Sequence, residues 1–188
     1  MTTYDLHKLT QEVNEFWFGN GQEFRPQWFQ KDEAFDQEIE DRFSEALTAA
    51  GNAELNAMTD TPEGALALLL MLDQFTRNTR RGQASMYDND ALALKIANEA
   101  VHKGFDLKVS PLQRSFFYLP YEHSENLADQ DTSIEKFTAL GNESGLTWAV
   151  QHYDIIKRFG RFPHRNKQLG RTSTAAEKTF LTEDGSSF

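Results

Sequence analysis

The chain has 188 residues, 39% hydrophobic and 26% charged, with a formal net charge of −10 and no cysteine. It is long enough for one domain with a real core, and the missing thiols exclude disulfides, thiolate nucleophiles and cysteine metal sites. Residues 1–63 hold 4 Lys/Arg against 14 Asp/Glu, and residues 64–188 hold 15 of each, so generic affinity for nucleic acid, which rests on neutralising phosphates, is not expected.

The longest apolar run, residues 65–72, has eight members, well short of the roughly 18 needed to cross a bilayer. No membrane span is expected. The start Met1-Thr2-Thr3-Tyr4-Asp5 lacks a basic segment followed by an apolar one, so no signal peptide is read and a cytoplasmic location is expected.

Apolar residues recur at helical spacing. Leu6, Leu9, Val13, Phe16 and Trp17 mark a first helix, stopped by Gly19-Asn20-Gly21. Residues 24–30 are aromatic and irregular, fitting core packing better than a dimer contact. Phe35, Ile39, Phe43 and Leu47 step by four and give an amphipathic helix closed by Gly51. Thr61-Pro62-Glu63 reads as an N-cap with proline at the first helical position. The helix it opens is apolar on all sides to residue 72 and continues to about Arg80, which places it at the centre of the fold.

Asp90 is expected to cap a helix through His102, stopped by Gly104. Ser110-Pro111 opens another, expected to break near Pro120. Residues 122–140 read as one or two helices, with Ser124 as a candidate cap. Residues 145–159 read as a further helix ending at Gly160, and Thr174-Ala175-Ala176-Glu177 as a capping box for a last short one. The tail, residues 182–187, is expected to fray. No alternating strand is visible. The fold class is all-α, with roughly seven to nine helices packed as antiparallel pairs in one domain.

Three polar clusters interrupt these apolar helices. The first is Asp73, Gln74, Arg77, Asn78 and Arg81. Asp73 and Arg77 are four apart on one helix face and can pair. The cluster is either an internal ion pair orienting the helix end or the wall of a polar pocket. The second is Glu122-His123-Ser124-Glu125, where histidine and carboxylate together can move protons. It matches no established metal spacing.

The third runs from Arg158 to Asn166 with Arg161, His164 and Arg165, and extends back to His152 and on to Arg171. From residue 155 to 176 there are six Lys/Arg and no acid, a patch able to draw an anion or to pair with acids elsewhere. The arginines can also simply cap helix ends.

Taken together, Leu72-Asp73-Gln74-Phe75, Arg77-Asn78, Arg81-Gly82, Glu122-His123-Ser124-Glu125, the 158–166 segment with Leu169-Gly170-Arg171, and Glu15-Phe16-Trp17-Phe18-Gly19 resemble the bacterial family known as domain of unknown function 924. The resemblance covers roughly residues 10–182. It implies an all-α, tetratricopeptide-like fold and supplies no reaction. The chain departs from the family pattern at Thr76, where proline is usual, at Thr79-Arg80, usually apolar, and at Tyr121, usually leucine. None of these removes a polar motif residue.

Two functional readings follow. In one, the clusters line a pocket for a small anionic ligand, a carboxylate or phosphate held by the arginines. His123 or His164 is then the proton-transfer candidate, and Glu125 or Asp73 fixes the tautomer. In the other, the protein is an interaction scaffold whose arginines are structural or clamp an acidic peptide. Whether the protein is an enzyme stays open. No metal or cofactor is assigned, and the oligomeric state is not legible.

Overall fold

A computed structural model describes residues 4–19 and 23–186. Asn20 and Gly21 of the first stop signal, Met1 to Thr3, and Ser187 of the tail lie outside the described residues. The described chain is helical and turn throughout, with no strand, as the periodicity requires. Its residues group into two compact units, one of residues 1–81 and 85–120, the other of residues 82–84 and 121–188.

The first unit opens with α1 (Leu6–Phe18), capped by Asp5, whose carboxylate accepts from the Lys8 amide. Helix α2 (Glu33–Gly51) is capped by Asp32, and α3 (Pro62–Leu69) by Thr61 with Pro62 at the first position. The chain then widens into a π-helical turn (Leu70–Phe75) and returns to α-helix in α4 (Thr76–Thr79). Both the amide and the hydroxyl of Thr76 reach back five residues to the Met71 carbonyl, and the Thr79 hydroxyl donates to Phe75. These side-chain donors hold the wide turn where a normal ladder would stop.

Residues 65–75 are buried throughout, so this segment is the centre of the first unit. Against it pack α1, α2 and α5 (Asp90–His102). Phe16 stacks on Phe35 at 4.9 Å and meets Phe75 edge-on, while Trp17 stacks on Trp28 at 5.8 Å. Fully burying each such ring is worth about 1.5–3 kcal/mol. Within the aromatic 24–30 segment Trp28 is core, whereas Phe24 and Phe29 are exposed. Helix α5 starts one residue earlier than a capping Asp90 would require. Asn89 is the N-cap, and Asp90 is the first helical residue.

Helix α6 (Pro111–Glu122) runs through Pro120 rather than breaking there. Only Tyr121 and Glu122 follow the proline, so the helix gives up one amide bond back to residue 116 and ends before the ring has further helix to break.

In the second unit, α7 (Leu127–Leu140) is capped by Asn126, not Ser124. The Ser124 hydroxyl instead accepts from the Asn126 amide and donates to Asp129. Helix α8 (Glu143–Phe159) begins two residues earlier than glycine-based reading suggests, because Asn142 caps it. Gly141, at φ +70°, reverses the chain between them, and the two helices pack as a hairpin. The approach is close: a Cβ on Gly145 would lie 2.5 Å from the Phe137 ring. Gly160 ends α8 in the left-handed conformation. A 3-10 turn (Pro163–Arg165) and α9 (Ala175–Phe180) follow, the latter with the complete Thr174/Glu177 capping box. Ile155, Ile156, Phe162 and Phe180, with Phe159, form a small core there.

Candidate functional site

The first polar cluster lies in the first unit and is closed by charge. Asp73 sits 2.9 Å from Arg77, whose guanidinium also meets Asp90 at 3.0 Å and donates to the Asp73 carbonyl. Burial acts to lower the Arg77 pKa, but the fields of Asp73 and Asp90 outweigh it and hold the group above its ordinary value. Gln74 donates to Asp73. Asn78 and Arg81 both donate to Asp36, at 2.7 and 3.0 Å. The pairing of Asp73 with Arg77 follows from their spacing. Of the residues that complete the network, Asp36 carries no sequence signal and Asp90 reads only as a helix cap, because their contacts with the arginines arise only on folding.

The remaining candidates belong to the second unit, and its arginines are engaged. Arg161 makes a two-pronged bridge to Glu177, at 2.6 and 2.9 Å, and donates to the Thr172 carbonyl. Glu177 also accepts from the Thr174 amide. The Arg161 bonds first, and the Thr174 amide next, hold its carboxyl down to about 2. Arg171 grips both oxygens of Glu125, at 2.7 and 2.9 Å, and donates to the Phe162 carbonyl and to Asn166. Asn166 in turn donates to Ser173.

Glu125 also accepts from the Phe162 amide. Burial pushes its pKa up, but the Arg171 and Phe162 bonds and the fields of Arg171 and Arg165 hold it below the ordinary value. This carboxylate therefore fixes the loop through Arg171 and the Phe162 amide. Arg158 is exposed, 3.9 Å from Glu183 and lying over the Phe159 and Phe180 rings.

Two histidines meet at the Phe162 ring, and a third adjoins one of them. His152 contacts the Phe162 ring edge-on at 5.5 Å, His164 contacts it at 5.5 Å, and His123 lies 6.2 Å from His152. The Arg165 guanidinium covers the same ring at 4.5 Å and donates to the His123 carbonyl. That carbonyl lies just past the last residue of α6, so Arg165 does serve as a helix-end donor. Glu122, buried and the first member of the second polar cluster, lies 3.4 Å from His152.

The Nδ1 of His152 is 2.9 Å from the Trp148 carbonyl. A carbonyl only accepts, so in the neutral ring Nδ1 carries the hydrogen and Nε2 is the basic nitrogen. Burial first, then the charges of His123 and Arg165, push His152 down to about 3. Burial first, then Arg165, push His164 down to about 4, against a smaller opposing pull from Glu125. Both imidazoles are neutral at pH 7. Among the described residues no group of three or more His, Asp or Glu is arranged to hold a metal ion.

The structure thus gathers His123, Glu125, His152, Arg161, His164, Arg165 and Asn166 in one unit. It places Asp73, Gln74, Arg77, Asn78 and Arg81 in the other. The model of a family described as bacterial protein of unknown function, DUF924, matches residues 13–185, and the chain belongs to that family. It is similar to the solved structure of the protein of unknown function ATU0120 from Agrobacterium tumefaciens. That match has a TM-score of 0.88 and 44% identity, covering 94% of this chain and 98% of that one. No curated protein matches the chain.

Proposed function

We propose that the second unit binds a small anion, a carboxylate or phosphate, at His123, His164 and Arg165. The observation that carries this reading is electrostatic. After burial, Arg165 helps depress both His152 and His164, and its guanidinium adds a positive field at the Phe162 ring. An anion is the ligand class such a field favours. Glu125, Asn166 and Arg171 then act as the frame that fixes the loop, and the Asp73–Arg77 network as the frame of the first unit.

Binding of an anion raises the proton affinity of His164 and turns a weak base into one suited to proton transfer near neutral pH. This is the form in which the site would be enzymatic. The peptide-clamp alternative asks Arg161 to give up both of its bonds to Glu177, so it is the weaker reading.

Thermal-shift measurements with inorganic phosphate and simple mono- and dicarboxylates test the proposal, with Arg165→Gln in parallel. A ligand at 100 times its Kd stabilises the fold by about 2.7 kcal/mol. The expected result is a shift in the parent protein that is lost in the variant. A shift of equal size in both proteins, or none from any anion, contradicts it.

A further inference from the structure

The acidic first third of the chain carries an apolar surface that the polar clusters do not use. Phe24 and Phe29 are 60% and 56% exposed, yet their rings are set in place. They stack on each other at 6.0 Å, Phe29 stacks on Phe116 at 6.4 Å, and Phe24 meets Trp28 edge-on at 5.6 Å. Phe116 and Trp28 are buried, and the Trp28 indole donates to the Trp17 carbonyl. The backbone is held as well. The Arg25 guanidinium donates to the Phe16 and Trp17 carbonyls at the end of α1, and the Phe29 amide donates to Pro26. Two aromatic faces are thus fixed at the surface, and a surface already ordered loses little entropy when something settles on it.

The charge around these rings has one sign. Residues 1–63 hold 4 Lys/Arg and 14 Asp/Glu, and all four cations are engaged. Lys8 pairs with Glu12, Lys31 with Glu33 and Arg42 with Glu38, while Arg25 holds the carbonyls of α1. Glu23 precedes Phe24, and Glu15 lies one turn before Phe18, whose ring packs on both Trp28 and Phe116. Both glutamates are exposed, and among the described residues neither enters an ion pair. Aromatic faces rimmed by carboxylates attract cations carried on apolar stems.

Size decides between occupants. A phenylalanine buries roughly 150–250 Å² when fully covered, so two rings a little over half exposed offer about 200–300 Å². A stable complex of folded partners needs about 800 Å² on each side. A second copy would also set the same acidic surface against itself. Both arguments select a short basic segment with one apolar anchor.

We propose that the Phe24/Phe29 surface docks a positively charged peptide segment of a partner protein, with an aromatic anchor laid on the two rings and Lys or Arg side chains directed to Glu15 and Glu23. The surface lies wholly in the first unit and does not depend on anion binding in the second.

The test is fluorescence anisotropy of a labelled peptide, lysines around a central tryptophan, titrated with the full chain. Two control peptides replace the tryptophan by serine or the lysines by glutamate. Binding is expected for the first peptide alone. It should weaken about tenfold or more in a Phe24→Ser/Phe29→Ser variant, as loss of a central anchor implies, and weaken again as salt shortens the screening length below about 10 Å. Because Phe29 rests on Phe116, Glu15→Lys/Glu23→Lys, at two exposed sites, is the second variant and should lose binding with the rings intact. No binding of the lysine–tryptophan peptide overturns the proposal, as does equal binding of the serine peptide, equal binding by either variant, or a signal indifferent to salt. Sedimentation of the protein alone checks the other occupant: a dimer that Phe24→Ser/Phe29→Ser dissociates gives the surface to a second copy and overturns the peptide.

Discussion

The two units solve the same problem, arginines placed near a core, in opposite ways. In the first, Arg77 and Arg81 meet Asp73, Asp90 and Asp36, and the arginine is stabilised in its charged form. In the second, Arg161 and Arg171 find acids, and Arg165 lies over the Phe162 ring beside His152 and His164, which give up their charge. A buried cation matched by carboxylates marks structure. Imidazoles depressed by burial beside a guanidinium mark where a functional site is to be sought.

Breaking the first network should have the largest effect. Arg77→Ala strands Asp73 and Asp90 in a buried setting, and one-sided loss of a buried ion pair costs about 3–5 kcal/mol, readable by urea denaturation. A loss below 1 kcal/mol would show that the carboxylates are better hydrated than their burial suggests. Arg171→Ala is expected to cost about 2–3 kcal/mol, the range for charged hydrogen bonds lost from half-buried groups, and to raise exchange at Phe162 and Asn166. A cost confined to stability, with ligand shifts intact, would place Arg171 in the frame of the site.

Acid separates the two regions further. A histidine depressed in the folded state contributes stability fully above its unfolded pKa of about 6.5. That stability is lost as pH falls from there toward the folded values of about 3 for His152 and about 4 for His164. The slope is about 1.4 kcal/mol per pH unit for each histidine. His164→Gln should flatten this slope between pH 6.5 and 4. Glu177, held at about 2, acts only lower down: its stabilisation is present above the ordinary carboxylate pKa and fades as pH falls toward 2. The smallest effect is expected from Arg158→Ala, because exposed pairs contribute about 0–1 kcal/mol. A larger loss would mean that its contacts with Phe159 and Phe180 matter more than its charge.

Much of the fold was legible because helix periodicity and capping are local. The Thr61-Pro62 start, the Thr174/Glu177 box and the Gly160 stop all appear where the spacing puts them. The π-turn at Leu70–Phe75 was not, since a run that is apolar on every side carries no phase in which a wide turn could register. Pro120 misleads because the helix ends two residues on, so the proline removes one amide bond and leaves little helix beyond it to break.

The candidate site was legible in its residue types and not in its partners. Asp73 with Arg77 is a local pair. Glu122 with His152, Glu125 with Arg171, and Arg161 with Glu177 join positions far apart in the chain, and only folding brings them together. Glu177 was visible as a capping residue, while its second task, holding Arg161, was hidden behind the first.

The central claim is that two neutral imidazoles stand in a positive field awaiting an anion. Histidine NMR titration of the intact protein, with and without phosphate, tests it most directly. The account predicts that His164 and His152 titrate far below 6.5 without phosphate, and that His164 moves upward when phosphate is added. Titration of both near 6.5, unmoved by phosphate, would contradict it.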